Sequence, residues 1–338
     1  MASPTKAIEI DESKLNPFME KAAMDMGAAM HATLVVVGDK LGLYTAMAGA
    51  GWMTSSELAA KTRTAERYVR EWLNANAASY YVVYDPDTQR FQLPPEQAFA
   101  LTVQDLPGAF HIISSLFKDE PVITQAFRSG EGVGWHEHDS SLFFGTERFF
   151  RPNYATHLLC SWIPALDGVV TKMQEDASVA DVGCDHGAST MLMADAHSKS
   201  RFYGFDYHSG SIEYARHVAG RDGLLDQVNF KVASCKSYPR NGGYDLVTFF
   251  DCFHDRGDSS GAARHVLSTL KPSGTQPHPH RPHLLFRLHH NLHPRLSGPG
   301  SRSRSRGPSR RETRQRHGHR RRIHSLPPCS RDSVQPGL

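Results

Sequence analysis

The feature that most constrains the fold is a glycine-bearing turn between a predicted strand and a predicted helix. Residues 179–182 are a short apolar run typical of a buried parallel strand, and a helical segment over 189–196 follows. The turn between them, residues 183–187, has the sequence Gly-Cys-Asp-His-Gly. Glycine lets the backbone approach a ligand closely, and the amides at a helix start can bind a polar or anionic group. The turn therefore predicts an α/β sheet that binds a nucleotide-like ligand.

A carboxylate follows the next predicted strand, residues 201–205. This carboxylate, Asp206, comes 25 residues after Asp181. Because the carboxyl ends of parallel strands meet at one edge of a sheet, we expect Asp206 beside the glycine turn, where it can accept both hydroxyls of a ribose. The alternative is that Asp206 caps the helix predicted over 209–218. In the first interpretation Gly183 and Gly187 also hold the cofactor, and Asp181 shapes the turn.

Two further strands are predicted over 228–233 and 244–250. Ser234 follows the first, at a position where an adenine ring could lie. His254 comes shortly after the second, at the same edge of the sheet as the glycine turn. Oriented by Asp255 or another carboxylate, a histidine there can remove a proton from a hydroxyl group, since its pKa lies near neutrality. The alternative for His254 is a loop residue without a catalytic role.

The first 105 residues have the pattern of a winged helix. Thr54 and Glu57 predict a capping box at the start of one helix, and Thr64 is a predicted cap for a second helix over 65–78. Short strands are predicted over 80–84 and 90–93. A winged helix can bind DNA through its second helix, or serve an enzyme as a dimerisation and substrate-covering domain. We favour the second role because of the charge distribution.

The charge of the chain is divided between two regions. Residues 276–338 contain 14 Arg and no Lys, against Glu312 and Asp332. Of the chain totals of 38 basic and 35 acidic residues, 24 and 33 remain in residues 1–275, a net charge of −9. We do not expect a nucleic acid as a partner, because residues 1–275 are acidic and cannot neutralise its phosphates. Without a membrane-length apolar run or an apolar leader, no membrane is expected either, and the expected compartment is the cytoplasm.

At this point a family resemblance is clear. Residues 179–206 and 245–274 resemble the cofactor motifs of class I S-adenosylmethionine-dependent methyltransferases, and the winged helix resembles that of bacterial small-molecule O-methyltransferases. The resemblance implies a Rossmann-like α/β sheet after a mostly helical winged-helix domain. It also implies S-adenosylmethionine as cofactor, a small-molecule hydroxyl or amine as acceptor, and a homodimer through the N-terminal domain. In this family a His-Asp pair after the fourth strand supplies the base, and His254 and Asp255 match it by position.

The resemblance and the motifs together give one set of expectations. The catalytic candidates are His254 and Asp255, and no metal site is expected, because Trp135-His136-Glu137-His138 is assigned to a solvated loop. The predicted domains are a winged-helix dimerisation domain (1–105), a helical linker and pocket wall (106–170), the cofactor-binding domain (171–275) and a disordered tail (276–338). The candidate cofactor-binding residues are Asp181, Gly183, Asp185, Gly187, Asp206, Tyr207, Ser234 and Asp251.

Two other functions are compatible with these motifs. A nicotinamide-dependent oxidoreductase also uses a glycine turn and a ribose-binding acid, although the turn over 183–187 lacks the third glycine of the dinucleotide fingerprint. A winged-helix DNA-binding regulator could use its α/β domain only to sense a ligand. Arg67 and Arg70 are the residues on which duplex binding would then depend.

The sequence departs from the family pattern in two places. Asp185 stands where the family usually has glycine, so its carboxylate should weaken cofactor binding. Three prolines in residues 276–282 exclude an interior strand where the sixth strand should begin, which predicts a sheet without its last two strands. Back-translation of the tail with a one-base shift can give apolar, strand-like segments, and we interpret the tail as the product of a shifted reading frame.

Overall fold

The computed structural model describes residues 10–253, 258–272 and 283–287. The α-helices are α1 (Glu12–Lys40), α2 (Leu43–Met47), α3 (Ser55–Thr62), α4 (Glu66–Ala78), α5 (Pro95–Ala98), α6 (Pro107–Ser129), α7 (Ser140–His157), α8 (Val169–Glu175), α9 (Ala188–Ala196), α10 (Ser209–Arg221) and α11 (Ser259–Thr269). The strands are β1 (Val83–Asp85), β2 (Arg90–Gln92), β3 (Ser178–Val182), β4 (Arg201–Asp206), β5 (Val228–Val232), β6 (Leu246–Phe250) and β7 (His283–Arg287). Within these ranges no helix combines the length and the apolar character that a bilayer crossing requires.

The N-terminal half contains the winged-helix elements, α2 to α4 followed by the β1–β2 hairpin. The predicted capping box is present at α3: the Thr54 hydroxyl accepts from the Glu57 N–H at 3.2 Å, and the Glu57 carboxylate accepts from the Thr54 N–H at 2.7 Å. The cap predicted at Thr64 is wrong. The N-cap of α4 is Ala65, without a side-chain hydrogen bond, and the Thr64 hydroxyl bonds Thr62 at 2.8 Å instead.

Helix α4 packs on α1 through Trp72. Its indole Nε1 donates to the Leu34 carbonyl at 2.8 Å, and a Cβ at Gly38 would lie only 2.4 Å from the Trp72 ring. Only glycine allows this approach, which buries Val69 with Trp72. Tyr68 is 78% exposed, because it precedes Val69 in the helix and lies off the face that contacts α1.

A parallel sheet forms the core of the second half of the chain. Its strand order is β5-β4-β3-β6-β7, and every neighbouring pair is parallel. Successive residues of β3 enter different apolar clusters: Val179 packs with residues of α9 and α10, and Ala180 with residues of α11. The predicted α/β fold with a helical N-terminal region is therefore confirmed. The carboxyl ends of β3, β4 and β6 meet at one edge.

Strand β7 corrects one expectation about the tail. His283–Arg287 pairs in parallel with β6, with Leu246 opposite His283 and Phe250 opposite Arg287. The expected loss of both final strands, and of all structure after residue 275, is therefore wrong for these five residues. The reason is local, since the three prolines precede the strand and none falls within it. Residues 273–282 and 288–338 lie outside the described residues.

Helices α6 and α7 pack closely at a pair of glycines. A Cβ at Gly108 would lie 2.8 Å from the Gly145 carbonyl oxygen, and a Cβ at Gly145 would lie 2.6 Å from that of Gly108. An ion-pair cluster then ties α7 to α1. Arg148 donates to both carboxylate oxygens of Asp39, at 2.6 and 2.8 Å, and its Nε donates to Asp105 at 3.0 Å. Helix α7 is thus fixed to the N-terminal domain.

Candidate active site

A cavity of about 900 Å³ opens at the carboxyl edge of the sheet. One wall is the sheet edge with the glycine turn, and the opposite wall comes from α7 and the segment before it. Of the predicted cofactor-binding residues, six line the cavity and two do not. Those on the wall are Gly183, Asp185, Asp206, Tyr207, Ser234 and Asp251.

Asp181, by contrast, lies beneath the turn. Its buried carboxylate accepts hydrogen bonds from the hydroxyls of Ser189 at 2.6 Å, Thr190 at 2.7 Å and Thr248 at 2.8 Å. Burial raises the pKa of Asp181, and these three donors oppose that effect. Asp181 therefore fixes β3 to the start of α9 and to β6. Asp181 is not part of the cavity wall.

The glycine turn is fastened to the neighbouring strand. The N–H of Gly183 donates to the Phe205 carbonyl at 2.7 Å. Gly187 ends the turn with φ 78°, and a Cβ there would lie 2.5 Å from Cζ of Phe230. Both backbone angle and space therefore require glycine at position 187. Gly187 therefore packs against Phe230 and is not part of the cavity wall.

Asp185 occupies the middle of the turn with a left-handed φ of 47°. Its carboxylate accepts from the Ser211 hydroxyl at 2.7 Å. Burial raises the pKa of Asp185 to about 6, and the negative charge of Asp206 adds to this, while the positive charge of His186 opposes it. A carboxyl group with this pKa changes charge in the physiological range.

Asp206 follows β4 and is buried at the cavity. Its two carboxylate oxygens accept from the backbone N–H groups of Asp185, at 3.2 Å, and His208, at 2.9 Å. The alternative role as a helix cap belongs to His208 instead, which is the N-cap of α10 and whose ring accepts from the Ser211 N–H at 3.3 Å. Since each carboxylate oxygen can accept twice, Asp206 retains one acceptor position per oxygen.

The remaining predicted residues lie around this centre. Tyr207, Ser234 and Asp251 follow β4, β5 and β6, and each contributes to the wall. The catalytic candidates His254 and Asp255 lie outside the described residues.

The opposite wall belongs to the segment 106–170, for which a helical linker and pocket wall were expected. Helix α7 contributes Glu147, Phe150 and Tyr154, and the Tyr154 ring lies 5.5 Å from that of Phe250 on β6. Of these three, Glu147 was not expected in the wall, because no periodic pattern distinguishes its position in the sequence. His186, in the glycine turn, also lines the cavity, and as an ionisable residue inside a ligand-binding turn it could have been found from sequence.

The assignment of residues 135–138 to a solvated loop is wrong for Trp135 and His138, whereas His136 and Glu137 are exposed. Trp135 and His138 line the cavity. His138 is held there by Asp119, whose carboxylate lies 2.8 Å from the ring Nδ1 and accepts from the Asp139 N–H at 2.8 Å. A cluster of three or more residues placed to bind a metal ion does not occur in the part of the chain that the structure describes.

The second helix of the winged helix carries no unpaired arginine at the positions considered for DNA binding. Arg67 lies 3.4 Å from Glu71, and Arg70 lies 3.6 Å from Glu66. These exposed ion pairs within α4 lower the positive charge that the helix presents.

Two family models match the chain. The model described as the Rv2258c-like winged HTH domain matches residues 29–103, and a methyltransferase domain matches residues 179–274. The second match ends just before the proline-rich segment. No curated protein matches the chain in sequence.

Several solved structures, O-methyltransferases among them, share the fold. The mitomycin 7-O-methyltransferase MmcR aligns with 78% of this chain and 79% of its own, at 18% identity and a TM-score of 0.57. PigF, solved with S-adenosylhomocysteine, aligns with 75% of this chain and 78% of its own, at 15% identity and a TM-score of 0.55. A protein from Nostoc punctiforme described as an O-methyltransferase by similarity aligns with 73% of this chain and 74% of its own, at 17% identity and a TM-score of 0.54. The two domain matches, in this order on this fold, identify the chain as a class I S-adenosylmethionine-dependent methyltransferase with an N-terminal winged-helix domain.

Proposed function

We propose that this chain binds S-adenosylmethionine in the cavity and transfers its methyl group to a hydroxyl or amine of a small molecule. The observation that carries the proposal is the meeting of Asp206 with the glycine turn on one wall of a cavity of about 900 Å³. This volume falls within the range of roughly 300–1,000 Å³ typical of small-molecule sites.

The residues present fit the cofactor. Asp206 has one acceptor position left on each oxygen, which suits the two adjacent hydroxyls of a ribose. Gly183 brings the backbone to the cavity without a side chain, and Tyr207 and Ser234 continue the wall past the ends of β4 and β5. When bound, S-adenosylmethionine supplies an electrophilic methyl group on a sulfonium.

The acceptor would lie against the wall opposite the sheet edge. Trp135, Phe150 and Tyr154 face the cavity there, and Phe250 adjoins Tyr154. Aromatic side chains exclude water and hold a flat apolar molecule in place, which favours displacement at the methyl group through proximity and desolvation.

We assign the general base to His254 and its orientation to Asp255, because both follow β6 at the sheet edge in sequence. His254→Ala should leave the binding of S-adenosylhomocysteine nearly unchanged and lower the rate of methyl transfer. Transfer from radiolabelled S-adenosylmethionine to a panel of phenols and amines measures this. Equal turnover in the variant would remove His254 from the role.

The binding step has its own test. Calorimetric titration of the purified chain should give saturable binding of S-adenosylhomocysteine and none of NAD, and Asp206→Ala should abolish the former. Asp195→Ala, an exposed carboxylate on α9, is the matched control. Binding of NAD without S-adenosylhomocysteine would overturn the proposal in favour of an oxidoreductase.

We also propose that two copies associate through α1. Phe18 and Met30 are 64% and 73% exposed, and Met19, Met24 and Met26 are exposed on the same helix. An apolar surface of this kind marks an association site. Sedimentation velocity should give a dimer for the chain and a monomer for Phe18→Glu/Met30→Glu, while Leu225→Glu, at an exposed leucine of the second half, stays dimeric. A monomeric parent chain would refute the proposal.

A further inference from the structure

An ion pair crosses the cavity wall between α7 and the glycine turn. Nδ1 of His186 lies 3.8 Å from Oε2 of Glu147, and their side chains are only 11% and 6% exposed. Both residues line the cavity. The other carboxylate oxygen of Glu147 pairs with Arg151, one helical turn further along α7. The pair therefore brings a buried anion and a buried imidazole to one place on the cofactor side of the cavity.

The surroundings favour the charged form of both residues. Burial lowers the pKa of His186, but Glu147 and Asp185 outweigh this effect and raise it overall. Burial raises the pKa of Glu147, but His186 and Arg151 outweigh this effect and lower it overall. Asp206 also raises the pKa of His186, and the Tyr214 ring packs against the imidazole at 4.3 Å.

The His186–Glu147 pair leaves hydrogen-bonding groups available to a ligand. A separation of 3.8 Å is longer than a hydrogen bond, and His186 Nδ1 has no hydrogen-bond partner among the described residues. With Nδ1 turned towards Glu147, Nε2 remains for another group. The amides at the start of α9 follow directly, since its N-cap Gly187 provides no side-chain cap. An anion here would meet both an imidazolium and free amides.

We propose that His186 and Glu147 bind the amino-acid end of S-adenosylmethionine, His186 its carboxylate and Glu147 its ammonium. The inference rests on the proposed function. If the ribose binds Asp206, the glycine turn is the adjacent surface, since its Asp185 N–H donates to Asp206, and His186 is the basic side chain within that turn. A zwitterion carries the two charges that complement this pair, and their charge-assisted bonds offset the cost of keeping the pair in a buried wall.

A comparison of two ligands tests the inference. S-adenosylhomocysteine has the amino-acid end, whereas 5′-methylthioadenosine has the same nucleoside without it. For the full-length chain, titration calorimetry should show much tighter binding of the first. Glu147→Gln and His186→Gln should each reduce this preference by about tenfold or more, because each removes a charge-assisted bond. Binding of 5′-methylthioadenosine should change little.

Control variants and a second ligand distinguish cofactor binding by the pair from a purely structural role. Glu175→Gln and His217→Gln change exposed residues of the same types and should leave the preference unchanged. If either cavity variant weakened both ligands equally, the pair would only tie α7 to the turn, and the inference would be wrong. Unchanged binding of both ligands would also refute it. Failure of the parent chain to bind either ligand would instead refute the proposed function.

Discussion

The backbone N–H of Asp185 donates a hydrogen bond to the Asp206 carboxylate at 3.2 Å, so the turn and the ribose-binding acid form one unit. The same contact brings two carboxylates close together, since Asp185 carries a second one into the cavity wall. Asp185 also adopts a left-handed φ of 47°, which favours glycine. The residue that departs from the family pattern thus affects stability and ligand binding at once.

Asp185→Asn should stabilise the protein at alkaline pH. Burial raises the pKa of Asp185 to about 6, above its value in the unfolded chain, so the stability associated with its neutral form is present at low pH and lost as the pH rises through 6. The neutral amide retains an acceptor for the Ser211 hydroxyl. We expect a gain on the order of 2 kcal/mol at pH 8 and almost none below pH 4, measured by urea unfolding.

Asp195→Asn provides the control for this pH dependence. Asp195 is an exposed carboxylate in α9, so its substitution should change the unfolding free energy little at either pH. A gain for Asp185→Asn that is equal at pH 4 and pH 8 would show that the carboxylate of Asp185 is not the cause.

Asp185→Gly should tighten the binding of S-adenosylhomocysteine. Glycine restores the residue type that the left-handed backbone favours, and it removes a carboxylate from the vicinity of the cofactor's own carboxylate. We expect a decrease in Kd of about tenfold at pH 7.5, measured by calorimetry, if these effects together contribute about 1.4 kcal/mol. Weaker binding by the glycine variant would instead give Asp185 a direct favourable contact with the ligand.

Much of the sheet could be predicted because its signals are local. The strand ending at Val182, the carboxylate at Asp206 and the capping box of Thr54 and Glu57 each depend on neighbours in sequence, and each occurs as predicted. Their position at one edge then follows from the rules of parallel sheets.

The contact between Glu147 and His186 could not be predicted, because it depends on contacts distant in sequence. Glu147 reaches His186 only because Gly108 and Gly145 let α6 and α7 approach, and because Arg148 fixes α7 to Asp39. None of these contacts leaves a periodic pattern in the chain. The strand His283–Arg287 was not predicted for another reason. The tail was judged by its overall composition, although these five residues contain no proline and can form a strand.

Gly187→Ala should destabilise the cofactor turn through a clash. Its Cβ would lie 2.5 Å from the Phe230 ring, in addition to the strain of φ 78°. Gly223→Ala is a matched control, because Gly223 has φ 73° and no atom within 4 Å of an added Cβ. We expect a loss of about 1 kcal/mol for the control and about 3 kcal/mol for Gly187→Ala, measured by thermal and urea unfolding. Equal losses would mean that Phe230 moves aside.

Arg148→Met should destabilise the contact between α7 and the N-terminal domain. The Arg148 guanidinium binds Asp39 and Asp105, and its removal leaves two partly buried carboxylates without their common cation. Burial raises the pKa of Asp39, but Arg148 and His111 outweigh this effect and hold it well below its usual range. The stabilisation of a carboxylate with a depressed pKa is present at neutral pH and lost in acid.

We therefore expect Arg148→Met to cost about 3 kcal/mol at pH 7 and less at pH 4, where the stranded carboxylates can take up protons. Urea unfolding followed by tryptophan fluorescence measures both values. Arg128→Met, at the exposed end of α6, should cost almost nothing. Adding Asp39→Asn to Arg148→Met removes one of the stranded charges and should restore part of the loss. If the double variant were less stable than Arg148→Met alone, then His111, whose Nε2 lies 2.8 Å from Asp39, would be the partner that holds this carboxylate in place.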